Sequence, residues 1–218
     1  MRPITLLPTR ALSTLGAHAA VIIPARMASK RFPGKPLALI GGKPLVQRTL
    51  ERVKRARHVD EVFVATDDQR IANLIEGIGA KCIMTSHECE SGTERVREAS
   101  QQLSAEFDII VNVQGDEPLI DPAHVDKLIT HMKKNQADLV STLACPIRSM
   151  KDFKSPNVVK VVFGLQNQAL YFSRSPIPYL PSDFKGPDEE KSQENASDQH
   201  RPFKHLGIYA FRRNFLEL

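Results

Sequence analysis

Four cations, Arg26, Lys30, Arg31 and Lys35, crowd the short stretch around Gly34. Lysine and arginine neutralise phosphate oxygens, and a glycine lets backbone N–H groups approach them closely, so the turn from Pro24 to Lys35 has the makings of a polyphosphate site. It is not a Walker A loop, because no Gly-Lys-Ser/Thr closes a four-residue gap, and it lacks the three glycines of a dinucleotide fingerprint. A solvated basic loop shaped by Pro33 and Pro36 is the alternative. Further along, Gln114-Gly-Asp-Glu-Pro118 offers carboxylates suited to Mg²⁺, which takes one or two of them and keeps waters. Asp116 is the better metal candidate than Glu117, since adjacent side chains at a strand end point in different directions. A Gly-Asp turn in which Asp116 caps the next segment is again the alternative. Together the two turns point to an enzyme acting on a nucleoside triphosphate.

Elements that could position these turns are legible on either side of them. Ala20-Val-Ile-Ile23 is a short apolar run before Pro24, the pattern of a strand covered on both faces. Val46, Leu50 and Val53 then give a helix with one buried stripe, and its charged face, with the basic stretch Arg52 to Arg57, is expected to be solvated. Val62-Phe-Val-Ala65 is a second strand, followed by a helix on Ile71, Leu74, Ile75 and Ile78 that Gly77 and Gly79 help to end. Asp67 and Asp68 follow the strand, where they could approach a nucleotide, but capping that helix is their expected role. Lys81-Cys-Ile-Met84, a helix on Val96, Ala99 and Leu103, and the β-branched run Ile109-Ile-Val-Asn-Val113 continue the alternation. A helix on Val125, Leu128, Ile129 and Met132 and a strand over Leu139–Leu143 complete it. The expected fold is α/β, a doubly wound and mostly parallel sheet, with both turns at carboxyl ends of strands, where such sheets bind ligands. Beyond it, Val158–Phe163 and Ala169–Ser173 flank a turn and predict a hairpin, a small β-rich insertion. Residues Pro176 to Pro202 read as a long polar loop, and Leu206–Phe211 as a final strand.

Composition narrows the function classes. The 218 residues, 41% hydrophobic, are enough for one sizeable core and one domain, expected over 20–218. A net charge of +5 suits an anionic substrate, yet it is too mild and too dispersed to argue for nucleic acid. Cys82, Cys89 and Cys145 have no ligand spacing, which fits a reducing, cytoplasmic location better than a disulfide framework or a zinc site. No apolar stretch is long enough to span a bilayer, so no membrane partner is expected. Residues 1–19 carry Arg2, Arg10 and several hydroxyl residues but no acid; they read as an N-terminal extension, either disordered or resembling an organelle-targeting leader. His58, His87, His124 and His131 lack partners at ligand spacing and read as surface residues.

Seven blocks, in order, carry a resemblance: Ile22-Ile-Pro-Ala-Arg26, followed by Arg31-Phe-Pro-Gly-Lys-Pro-Leu37; Ala65-Thr-Asp-Asp68; Ser91-Gly-Thr-Glu-Arg95; Val111-Asn-Val-Gln-Gly-Asp-Glu-Pro118; Ala169-Leu-Tyr-Phe-Ser-Arg-Ser-Pro-Ile-Pro178; and His205-Leu-Gly-Ile-Tyr209. The chain from about Val21 onward resembles the 3-deoxy-manno-octulosonate (Kdo) cytidylyltransferases. Sialic acid cytidylyltransferases resemble the first block but are not expected to carry the Gln-Gly-Asp-Glu-Pro and His-Leu-Gly-Ile-Tyr blocks. The resemblance implies a Mg²⁺-dependent transfer in which Kdo attacks the α-phosphate of CTP and pyrophosphate leaves, in a homodimer that serves lipopolysaccharide biosynthesis.

By the same resemblance Arg26 and Lys35 would bind the triphosphate and, with Asp116 as the metal ligand, form the catalytic set. Ser91, Thr93 and Arg95 would lie near the cytidine, and Gln114 beside the sugar. The acceptor is a sugar acid whose carboxylate needs a cation, a role that Arg174 and His205 could fill. A strand-end surface arginine and a satisfied structural histidine are their alternatives. Members of the family continue past the His-Leu-Gly-Ile-Tyr strand with a helical segment and a second metal-binding aspartate. The expectation is therefore a C-terminally truncated domain, active or reduced to CTP binding.

Overall fold

The computed structural model describes residues 17–28, 32–180 and 202–218. Residues 1–16 of the expected extension, the cations Lys30 and Arg31, and most of the expected polar loop lie outside the described residues.

Strand β1 (His18–Ala25) starts inside the stretch assigned to the extension and runs to the basic turn, where a single 3₁₀ turn (Lys35–Leu37) and a small ribbon, β2 (Leu39–Ile40) and β3 (Lys43–Pro44), lead into α1 (Leu45–Val53). The alternation then follows as β4 (Glu61–Thr66), α2 (Gln69–Gly77), β5 (Lys81–Met84), α3 (Gly92–Gln101), β6 (Phe107–Val113), α4 (Pro122–Lys134) and β7 (Val140–Pro146). A short α5 (Met150–Lys154), the hairpin β8 (Lys160–Phe163) and β9 (Ala169–Ser173), the long β10 (Phe203–Arg212) and α6 (Arg213–Leu216) complete the described chain.

Alternating residues of β1 explain the layering, since successive strand side chains point to opposite faces. Val21 and Ile23 pack with Val46 and Leu50 of α1, Ile71 and Ile75 of α2, and Leu128 and Met132 of α4. Ala20 and Ile22 face the other way, onto Val96 and Ala99 of α3 and Leu216 of α6. Ile22 and Ile23 are both fully buried. Each such side chain contributes about 1.5–3 kcal/mol relative to exposure.

The strand order is β5-β4-β1-β6-β10-β8-β9, with β7 on the other side of β10. Strands β5, β4, β1 and β6 pair in parallel. β10 is antiparallel to both β6 and β7 and so separates two strands that run the same way. The chain moves outward from β1 through β4 to β5, then returns to β6 on the opposite side of β1. That reversal makes the carboxyl ends of β1 and β6 the switch point at which open α/β sheets bind ligands. Both turns singled out by their chemistry emerge there.

Candidate active site

Backbone contacts build the basic turn into a defined support for Lys35. Gly34 sits at φ 75°, a left-handed conformation that favours glycine, and its N–H closes onto the Met27 carbonyl at 3.1 Å. The 3₁₀ turn that follows buries Pro36 and presents Lys35. The acidic turn is shaped by a Glu117 N–H that donates to the Gln114 carbonyl at 3.2 Å. Gly115 is required for close approach, because a Cβ there would lie 2.7 Å from the Pro24 carbonyl oxygen. Its own carbonyl accepts from Thr49 Oγ1 of α1 at 3.1 Å. The glycine of the acidic turn thus presses that turn onto the start of the basic one.

The two turns meet directly. Lys35 Nζ donates to Asp116 Oδ2 at 2.5 Å across 81 positions of sequence. Both side chains remain partly exposed, so the pair is accessible to a ligand that would separate it. Around them lies a cleft of about 600 Å³ whose lining includes Arg26, Lys35, Ser91, Arg95, Gln114 and Asp116. Arg26 Nη1 donates to the Glu90 carbonyl at 3.0 Å, which carries the guanidinium across from β1 to the loop before α3.

Helix α3 brings its N-terminus to the same cleft. Ser91 is the N-cap and forms a full capping box: its hydroxyl accepts from Glu94 N–H at 3.1 Å, and Glu94 Oε2 accepts from Ser91 N–H at 3.1 Å. Ser91 and Gly92 line the cleft, so a helix end that favours negative charge faces it. An added Cβ at Gly92 would lie 3.2 Å from Gln114 Oε1, so a side chain there would push on Gln114.

Arg95 reaches the cleft wall from a buried position, only 2% exposed. Its Nη2 donates to Asp67 Oδ2 at 2.9 Å, and Nη1 donates to the Thr85 hydroxyl and to the Ser86 carbonyl. The guanidinium therefore ties the carboxyl ends of β4 and β5 to α3. Asp67 therefore anchors Arg95 rather than taking the capping role expected for it. Asp68 does the capping, accepting from Arg70 N–H at 2.9 Å, and Arg70 holds its carboxyl down to about 2.

Thr93, Arg174 and His205 do not line this cleft. Thr93 Oγ1 accepts from Asn112 Nδ2 at 3.4 Å. His205 lies on β10 with Nε2 2.9 Å from the Thr142 hydroxyl, and its ring packs edge-on to Phe172, 5.0 Å between centroids, and beside Tyr209. Burial lowers its pKa from the ordinary 6.5. Arg174, just beyond β9, donates from Nη1 to the Pro156 carbonyl at 2.8 Å. A buried Lys160 beside it escaped the sequence reading, although a lysine inside Val158-Val-Lys-Val-Val-Phe163 was a visible break in an apolar run. The basic helix face also differs from expectation, because Arg52 is not simply solvated: its Nε donates to the Ile120 carbonyl at 2.9 Å.

Among the described residues no group of three or more His, Cys, Asp or Glu is placed to hold a metal ion. Asp116 is a single carboxylate beside cationic side chains suited to phosphate. That donor set fits a Mg²⁺ ion that shares its remaining positions with phosphate oxygens and water.

A doubly wound sheet whose switch-point cleft sets cations against a carboxylate is the architecture of a nucleotidyltransferase domain. Residues 20–218 match the family model described as Cytidylyltransferase, and the chain belongs to that family. A 3-deoxy-manno-octulosonate cytidylyltransferase of Geobacter sulfurreducens is 52% identical over 195 residues, which cover 89% of this chain and 76% of the relative. An 8-amino-3,8-dideoxy-manno-octulosonate cytidylyltransferase of Shewanella piezotolerans is 42% identical, covering 92% and 77%. The solved structure of a CMP:2-keto-3-deoxy-manno-octonic acid synthetase complexed with CTP superposes with a TM-score of 0.79 at 42% identity, covering 92% of this chain and 76% of that one.

Proposed function

We propose that this chain activates Kdo with CTP, forming CMP-Kdo and pyrophosphate for lipopolysaccharide biosynthesis. The observation that carries the reading is the Lys35–Asp116 contact across the switch-point cleft, a phosphate-type cation and a metal-type carboxylate held 2.5 Å apart. The anomeric hydroxyl of the sugar acid attacks the α-phosphorus, an oxygen–phosphorus bond forms as the hydroxyl proton passes to solvent, and the bond to the departing pyrophosphate breaks. Such transfers depend on positioning and charge stabilisation rather than on a covalent enzyme intermediate.

In this reading each residue has a task. Lys35 exchanges Asp116 for phosphate oxygens when the nucleotide enters, and Arg26, which lines the same cleft, supplies a second cation. Bound Mg²⁺, held by Asp116, would neutralise charge on the phosphates. Ser91 and Gly92 place the α3 N-terminus and its N–H groups beside the nucleotide, with Thr93 and the buried Arg95 supporting that helix start. Gln114, which donates to Asn112 Oδ1 at 3.3 Å, borders the sugar. Arg174 and His205 serve the acceptor end, where a carboxylate needs a cation and hydroxyls need partners.

The chain works as a homodimer in the cytoplasm in this reading. β9 is the terminal strand of the sheet and exposes Leu170 and Tyr171 by 64% and 63%, an apolar edge that assembly would cover. Cys82, Cys89 and Cys145 are all unpaired, as a reducing compartment keeps them. No helix among the described residues is long and apolar enough to cross a membrane.

Mixing the chain with CTP, Kdo and Mg²⁺ tests the activity. Pyrophosphate and CMP-Kdo should appear in equal amounts. No pyrophosphate above an enzyme-free control would reject turnover, and calorimetric CTP binding in that case would favour the reading of a CTP-binding chain.

A further inference from the structure

Lys160 of β8 is completely buried, and among the described residues it forms no ion pair with a carboxylate. Its ammonium donates to three backbone carbonyls instead, those of Ser155 at 2.9 Å, Val158 at 2.8 Å and Arg174 at 2.6 Å. A lysine has three N–H donors, so all of them are committed. Two of the carbonyls belong to the loop over 155–158. The third belongs to Arg174, whose guanidinium turns back onto the Pro156 carbonyl of the same loop at 2.8 Å. Lys160 and Arg174 therefore grip one loop from two sides.

Strand register extends the contact to the other acceptor residue. Lys160 stands opposite Ser173 on β9 and opposite Lys204 on β10, the residues that immediately precede Arg174 and His205. The backbone N–H of His205 donates to the Val159 carbonyl at 2.8 Å. Burying a cation against neutral carbonyls is costly, and an apolar strand residue would fill the space without that cost. The expense is understandable if what Lys160 fixes has to be placed accurately.

We propose that Lys160 is a positioning residue for the acceptor end of the site, fixing the Arg174 backbone and the 155–158 loop so that Arg174 and His205 are preorganised for the carboxylate of a sugar acid. The proposal rests on the reading of Arg174 and His205 as acceptor residues. It acts through Arg174 and makes no contact with substrate of its own.

Calorimetric titration of Kdo, with a non-hydrolysable CTP analogue and Mg²⁺ present, separates the possibilities. Lys160→Met should weaken Kdo binding by about tenfold or more, while the affinity for the analogue changes by less than about twofold. Lys160→Gln, which keeps two donors, should lie between wild type and Lys160→Met. In an Arg174→Ala background, Lys160→Met should add less than about a further twofold, because the two residues act as one unit. Wild-type Kdo affinity in a folded Lys160→Met protein, with Arg174→Ala impaired, overturns the proposal alone. Wild-type affinity in Arg174→Ala overturns the acceptor reading and this proposal with it. Should the Lys160 variants not fold, amide exchange on the wild-type chain decides: the amides of residues 155, 157–160 and 173–175 should gain protection when Kdo joins the analogue, and no gain overturns the proposal.

Discussion

At the scale of single residues, chemistry and packing are divided among neighbours that look alike in the sequence. Asp67 and Asp68 are adjacent, yet one anchors the buried Arg95 and the other caps α2. Gly115 is not there for flexibility alone, since the Pro24 carbonyl leaves no room for a side chain. That the basic and acidic turns would share one cleft was legible, because both follow strands of the same doubly wound sheet. Lys160 was not legible as a clamp, because its partners are backbone carbonyls that leave no mark in the sequence. His205 gives a prediction at this scale. Burial among Phe172, Tyr209 and Thr142 depresses its pKa below 6.5, so the unfolded chain takes up a proton before the folded one. The stabilising contribution of neutral His205 is full above pH 6.5 and is lost as pH falls through the lower folded value. Urea midpoints measured from pH 7 downward should therefore fall more steeply for the wild type than for His205→Gln. Parallel curves would refute this origin.

At the scale of elements, hydrophobic period was the reliable guide. The stripes on α1 and α4 are buried as their spacing requires, whereas α2 buries Ile71 and Ile75 but leaves Leu74 half-buried and Ile78, just past its end, exposed; β1 divides its residues between two cores. Strand pairing was less legible. The insertion of β10 between β6 and β7 depends on which edge a distant segment meets, which no local pattern encodes. Helix α3 offers the clearest test, because its capping box lies at the cleft wall. Ser91→Ala should lower stability by about 1 kcal/mol through the lost cap. Thermal unfolding would register it, and CTP titration should show weaker binding as the helix N-terminus loses its fixed position. A Ser91→Asp variant restores a cap but adds negative charge near phosphate, so it should recover stability without recovering affinity. Equal recovery of both would separate α3 from the nucleotide site.

For the whole molecule, the sheet divides the labour. Its parallel half, β5-β4-β1-β6, ends in the cleft between the two turns, while the antiparallel half carries Arg174, His205 and an exposed apolar edge. That edge belongs to the assembly reading: sedimentation should give a dimer for the wild type and a monomer for a Leu170→Glu, Tyr171→Lys double variant. A wild-type monomer at assay concentrations would contradict the dimer.

The central claim is that the basic and acidic turns form one CTP·Mg²⁺ site. Calorimetric titration of CTP in Mg²⁺ against wild type and Lys35→Met tests it most directly. The Lys35–Asp116 pair is partly exposed, so solvent screens it and it contributes at most about 1 kcal/mol to folding; the variant should keep a thermal midpoint close to that of the wild type. Its CTP affinity should fall by about tenfold or more, as expected for the loss of a charge-assisted phosphate contact. An unchanged affinity in a folded variant would contradict the claim.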